Sequence, residues 1–354
     1  MIINKKRIII WVIIVILGII SVYSIWYSYK RYLDSHSAFI NRMQNIDKKI
    51  AKEPMNADLY LMKANLIYFK ALKLLEEIFS AGENVVEGSD TGLYSELDNS
   101  VIEIAKFWIN SGYLNKSAIY DVSSINDEVL AEVIRSMFEK AKDLYLFGLP
   151  LAEKVDGVYQ FRIGECYFRM GRNYFDEAEL MFKYAQELGI KEIKIYVFLG
   201  NIKFIEKDID ASIDYYDRAL KLQPDNMLIK FNKAIALKEK NELDKVIELL
   251  NEIIKTYETS ERVTSEEYSV YLKSIYTLGR VYYLKKEFDK SREVFEMMIE
   301  RESEMAPVLY WLGKTYMKEG DDTFALSIFE RLEKIKPDYK DTRQNIRLLR
   351  KKRK

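Results

Sequence analysis

One histidine and one cysteine limit the chemistry open to this 354-residue chain. A Ser-His-Asp or Cys-His centre would have to use His36, which stands far in sequence from any pocket-forming region. Cys166 lies beside Tyr167 in an apolar helical pattern, where a small buried hydrophobe fits better than a reactive thiol. A lone cysteine closes no intrachain disulfide, and without a second His or Cys there is no zinc ligand set. Neither a Walker lysine motif nor GxGxxG occurs. Carboxylates are plentiful, but 55 acidic residues balanced by 55 basic ones describe solvated helix faces. The expectation is no enzyme, no metal and no cofactor. The zero formal net charge also removes the general electrostatic case for nucleic acid.

The elements that would position any binding residues are helices. Only 14 Gly and 5 Pro interrupt a chain rich in Leu, Ile, Lys and Glu, so the fold class is all-α. The clearest stretch is 306–338. Its first half carries Leu309, Leu312 and Tyr316 at helical spacing, and its second half Ala325, Phe329 and Leu332. Gly320 and Asp321 break the pattern between them, and Pro337 closes it. Counting back 34 residues from Gly313 reaches Gly279, with Leu278, Tyr282, Ser291 and Phe295 in register. Gly279 to Ala234 is 45 residues, which places 11 extra residues at about 256–266. Another 34 leads to Gly200, with Tyr216 and Ala219, and then 36 to Gly164, with Ala178, Phe182 and Ala185.

This pattern resembles the tetratricopeptide repeat (TPR), a helix-turn-helix unit of 34 residues. The resemblance covers 157–337 as about five repeats and implies a helical-hairpin solenoid, a right-handed superhelix. Lys203 departs from it where the family prefers an aromatic, and Lys207 and Asn241 stand where it prefers an inter-helix glycine. It further implies a concave face lined by the first helix of each hairpin. At the places that would face a ligand stand Phe161, Arg162, Lys194, Val197, Phe198 and Asn201. Further along come Phe231, Asn232, Lys273, Tyr276, Arg280, Tyr310, Trp311 and Lys314. From Phe198 onward these aromatics, cations and amides form the expected peptide-binding set, suited to acidic side chains or a C-terminal carboxylate. The alternative for any single ring is packing between repeats. Asn201, Asn232 and Lys273 match three places of a carboxylate clamp found in some members of the family, while Val197 and Thr277 miss the other two.

Ahead of the repeats, residues 1–7 are basic and 8–27 are charge-free, long enough to cross a ~30 Å hydrocarbon core as one helix. Trp11, Trp26 and Tyr27 suit the two interfaces. A cleavable signal peptide is the rival, with a poor cleavage site at 22–24, and a buried core helix is a third reading. The expectation is a single uncleaved transmembrane helix with the bulk of the chain outside the cytoplasm. Residues 28–54 read as a juxtamembrane helical stalk and 55–156 as divergent helical hairpins, 56–79 among them as a degenerate repeat. Residues 80–99 read as a loop. Residues 338–354 read as a capping helix, with Tyr339, Ile346 and Leu349 over the last repeat, and a basic tail. The expected function is a membrane-anchored TPR adaptor holding a protein or peptide partner in its groove. The alternative is a structural, self-associating component of a cell-envelope complex.

Overall fold

A computed structural model describes residues 36–84, 99–110, 127–154, 156–302 and 304–352. The expected transmembrane segment 8–27 lies outside them, as do residues 1–7 and the first part of the stalk. Among the described residues no helix is long and apolar enough to cross a membrane, and there is no strand. The chain divides into two compact units, one of residues 1–79 with 93–171 and one of 80–92 with 172–354.

The helices of the first unit are α1 (His36–Ile50), α2 (Ala57–Asn84), α3 (Asn99–Asn110), α4 (Asp127–Gly148) and α5 (Gly157–Met170). The stalk expectation needs correction over its described part. Ala38, Phe39, Met43 and Ile46 of α1 are buried, and Asp47 pairs with Lys63 of α2, so α1 belongs to the body of the unit. The degenerate hairpin expected at 56–79 is instead one 28-residue helix that continues to Asn84, into the stretch read as a loop. From Leu59 to Phe79 it has no Gly or Pro and is rich in Leu, Ala and Lys, so nothing breaks it. α2 packs on α4 instead of folding back on itself. Tyr145 donates to Asn65 Oδ1 at 2.6 Å, and Tyr68 meets Phe138 edge-on at 6.3 Å. A Cβ added to Gly148 would sit 3.0 Å from Tyr60 Cβ.

The second unit is a run of paired helices: α6 (Phe175–Glu187), α7 (Ile193–Ile205), α8 (Ile209–Leu222), α9 (Met227–Glu239), α10 (Leu243–Thr259), α11 (Ser265–Leu284), α12 (Phe288–Arg301), α13 (Ala306–Glu319), α14 (Asp322–Ile335) and α15 (Thr342–Lys352). Three hairpins cross closely at a glycine read from the sequence. A Cβ on Gly200 would lie 2.6 Å from the Tyr216 ring, on Gly279 2.6 Å from Phe295, and on Gly313 2.8 Å from Phe329. Side-chain bonds tighten two crossings in the same register. Ser212 donates to the Gly200 carbonyl and Ser291 to the Gly279 carbonyl, each at 2.9 Å. Asp208, Asn226 and Asp321 cap the helices that follow them.

The 11 extra residues do not form a loop. Relative to the α8–α9 connection, α10 is three residues longer than α8, the linker 260–264 one longer than 223–226, and α11 seven longer than α9. Almost the whole insertion extends two helices. A capping box between Thr264 and Glu267 starts the second, and stacked Tyr257 and Tyr271, 4.1 Å apart, join the two.

The turns that lack glycine still use its conformation. Lys207, Asn241 and Lys286 have φ of 70°, 60° and 64°, where Gly320 has 86°. A Cβ in this region costs roughly 1–2 kcal/mol, whereas glycine loses about 0.5–1 kcal/mol in extra chain entropy. Lys286→Gly should therefore raise stability by about 0.5–1 kcal/mol, the difference between those terms. Asn241→Gly should gain less, because asparagine tolerates this region. Thermal midpoints of the two variants check the ranking.

Ile346 and Leu349 of α15 cluster against Ala325, Leu326, Phe329 and Leu332 of the last hairpin, with Tyr339 packed alongside. The basic tail is held down to Lys352. Arg350 pairs with Glu330 at 2.8 Å and Lys352 with Asp322 at 3.1 Å.

Candidate peptide-binding face

The first helices α7, α9, α11 and α13 carry the candidate residues, but the structure uses them unequally. Phe161 and Arg162 sit on α5 of the first unit. Phe198 is 8% exposed and stacks on Phe182 with ring centroids 5.3 Å apart, so it joins one repeat to the next. Phe231 packs on the core around Leu237, Leu250 and Leu278. Asn201 accepts a 2.7 Å bond from the Tyr216 hydroxyl, so one of the three clamp matches is engaged within its own hairpin. Asn232 is half-buried and Lys273 exposed, and Thr277, one of the two mismatches, is buried.

Four candidates gather on α11 and α13. The Arg280 guanidinium lies 5.7 Å from the Tyr276 ring and 4.9 Å from the Trp311 ring. Trp311 meets Tyr310 edge-on at 5.6 Å. Tyr283, absent from the sequence-derived set, meets Trp311 at 5.1 Å. It follows Arg280 by three residues on the same helix face, which is the signal that could have found it. The Trp311 indole Nε1 is buried without an acceptor. This cluster combines large apolar area with a delocalised cation, and Lys273 stands on the same helix one turn before Tyr276.

The end of the face formed by Tyr310 and Lys314 is occupied by the chain itself. Lys314 pairs with Asp341 at 3.5 Å, and Lys340 lies 4.7 Å over the Tyr310 ring. Tyr310 is 8% exposed and contacts Tyr339 at 5.8 Å. An internal carboxylate thus stands where the sequence suggested an acidic ligand. Burial opposes the charge on Asp341, but the Tyr310 hydroxyl, the Lys314 cation, its own backbone N–H and Asn345 prevail and hold the carboxyl below the ordinary aspartate range. Burial, then Asp341, raises the Tyr310 phenol. A carboxyl with a lowered native pKa contributes stability that is present above its unfolded value, about 3.9, and lost as pH falls through the native value. Wild type should therefore melt above Asp341→Asn at neutral pH, with the gap closing as the medium is acidified below about pH 4. Thermal midpoints measured across that range test it.

Away from this face, Lys203 is drawn into the structure by carboxylates. Burial works against its charge, yet bonds to Glu179 at 2.7 Å and Glu206 at 3.0 Å outweigh it and raise its pKa. Cys166 is fully buried, and burial followed by the Glu165 charge pushes its thiol up. That leaves little thiolate and no access. Sequence reasoning missed a buried polar network in the first unit. Glu165, 2% exposed, accepts from Tyr68 at 2.6 Å and from Arg169 at 3.3 Å.

The tetratricopeptide repeat family model matches residues 193–226 and 306–339, which are the α7–α8 and α13–α14 hairpins with their following turns. The chain therefore carries tetratricopeptide repeats at these two hairpins, on a frame that is all-helical among the described residues. It is 26% identical over 140 residues to the protein STIP1 homolog of Dictyostelium discoideum, covering 40% of this chain. It is 31% identical over 93 residues to anaphase-promoting complex subunit 3 of Schizosaccharomyces pombe, covering 26% of this chain. These matches span 22% and 14% of the relatives' own lengths. Among solved structures, MamA is similar at 22% identity and TM-score 0.40, covering 46% of this chain and 82% of that one. The C-terminal part of a TPR repeat-containing protein from Cytophaga hutchinsonii is similar at 15% identity and TM-score 0.48, covering 58% and 77%. At TM-scores below 0.5 these structural likenesses carry no argument about partners.

Proposed function

We propose that the protein is a membrane-anchored TPR adaptor that holds an extended, acidic or carboxylate-ended segment of a partner protein on its α9–α11–α13 face. The observation that carries this reading is Arg280 set between Tyr276 and Trp311, with Lys273 exposed on the same helix. Rings on rigid helices give contact area at low entropy cost, and a guanidinium among them selects carboxylates. Crosslinking in intact cells, followed by identification of the captured protein, supplies the partner. Variants of the face should then lose that partner with no change in oligomeric state. A change in oligomeric state instead would favour the self-assembling envelope component.

Anchoring through residues 8–27, with the bulk of the chain on the extracytoplasmic side, is part of the same proposal. Its support is the 20-residue charge-free run with aromatic ends. A central arginine costs about 2.5–3.5 kcal/mol on insertion scales, so Ile16→Arg should release much of the protein from membranes. A mature wild-type chain beginning near Ile25 would refute the anchor.

A further inference from the structure

The first unit holds a groove of about 560 Å³ between α1 and α2 that the TPR face does not use. Its walls are two helical stripes. Phe39 and Ile46 of α1 face Met62, Leu66 and Phe69 of α2. Met62 and Phe69 are 52% and 53% exposed, an unusual state for two large apolar side chains two turns apart. Four cations border this apolar floor: Arg42 and Lys49 on α1, and Lys70 and Lys73 on α2. Among the described residues lining the groove there is no carboxylate. The Arg162 guanidinium lies 4.9 Å from the Phe69 ring and adds positive charge on that side.

An apolar trough with a one-signed cationic rim suits a molecule that is apolar along its length and anionic at one end. We propose that this groove takes an anionic phospholipid, its acyl chain along Met62, Leu66 and Phe69 and its headgroup phosphate against Arg42 and Lys49. The proposal rests on reading residues 8–27 as a membrane span. Phe39 stands twelve positions after Tyr27 along the chain, which limits the groove to about 40 Å from the end of that span. A peptide partner is the weaker fit. A main chain needs hydrogen-bonding partners along its length, and the polar groups bordering this trough other than the cations are the amides of Asn45 and Asn65.

The test uses the full chain reconstituted in phosphatidylcholine vesicles with a trace of either phosphatidylglycerol or phosphatidylcholine bearing a photoactivatable acyl chain. Sites of labelling are read by peptide mass spectrometry. The phosphatidylglycerol probe should label the 62–69 region well above the phosphatidylcholine probe, and unlabelled phosphatidylglycerol should compete. Arg42 and Lys49 are exposed, so Arg42→Gln with Lys49→Gln should keep the helical circular dichroism while this labelling falls about fivefold or more, the scale of one lost cation near a membrane surface. Equal labelling by both probes would overturn the proposal. So would competition by a glutamate-rich peptide but not by phosphatidylglycerol. Labelling confined to residues 8–27 would overturn it while leaving the anchor standing, and labelling of neither region would remove both.

Discussion

Replacing Gly313 with leucine should lower the thermal midpoint by several degrees, whereas Lys318→Ala should leave it unchanged. The reason is the closeness of two helices. A Cβ on Gly313 alone would sit 2.8–2.9 Å from three atoms of the Phe329 ring, and that ring is fully buried against α15. The ring has no free space to move into, so α13 and α14 must separate or Phe329 must leave its rotamer. Overpacking of this kind costs roughly 1–3 kcal/mol. In a unit of this size each kcal/mol moves the midpoint by about 2–4 °C. Because the Gly313 carbon and the Phe329 ring compete for one volume, the two substitutions should be non-additive. Gly313→Leu combined with Phe329→Ala should lose less than the sum of the two single changes. Lys318 is exposed, so its truncation leaves the buried crossing unchanged. Equal midpoints for Gly313→Leu and Lys318→Ala would remove the assignment of Gly313 as the crossing point.

Trp311→Ala should weaken binding of the groove's partner by at least about 2 kcal/mol, roughly thirtyfold. The indole supplies contact area and also fixes Arg280, whose guanidinium lies 4.9 Å from it. Removing it therefore loses an aromatic anchor and loosens the cation that selects carboxylates. Trp311 also leans on the cores beside Leu312 and Phe329, so its removal should cost some stability. Arg280→Gln separates the two effects, since it leaves that core intact and should still reduce affinity. Lys273, exposed at the start of the same face, acts through long-range charge. Lys273→Ala should mainly slow association and flatten the dependence on salt. Isothermal titration with the captured partner's segment reads all three variants. Wild-type affinity in folded Trp311→Ala and Arg280→Gln would place the interaction elsewhere on the chain.

By itself the sequence determined the repeat register and the crossing points. Each clear hairpin needs a small residue on one helix facing a ring on the next, and Gly200 with Tyr216, Gly279 with Phe295, and Gly313 with Phe329 keep the same 16-residue offset. That offset is local, so it is written in the chain. The cap was legible for the same reason, as Ile346 and Leu349 lie three apart on one helix face. What the tertiary structure decided was which residues of the expected face remain available. Phe198 is taken by Phe182, Asn201 by Tyr216, and Lys314 by Asp341. It also decided that 57–84 is one helix, because a partner helix, α4, supplies the contacts a hairpin would have made for itself. A helical pattern states which face is apolar and leaves open what covers it. The partner is set by chain geometry beyond the repeat, such as the turn at 338–341 that returns a carboxylate to α13.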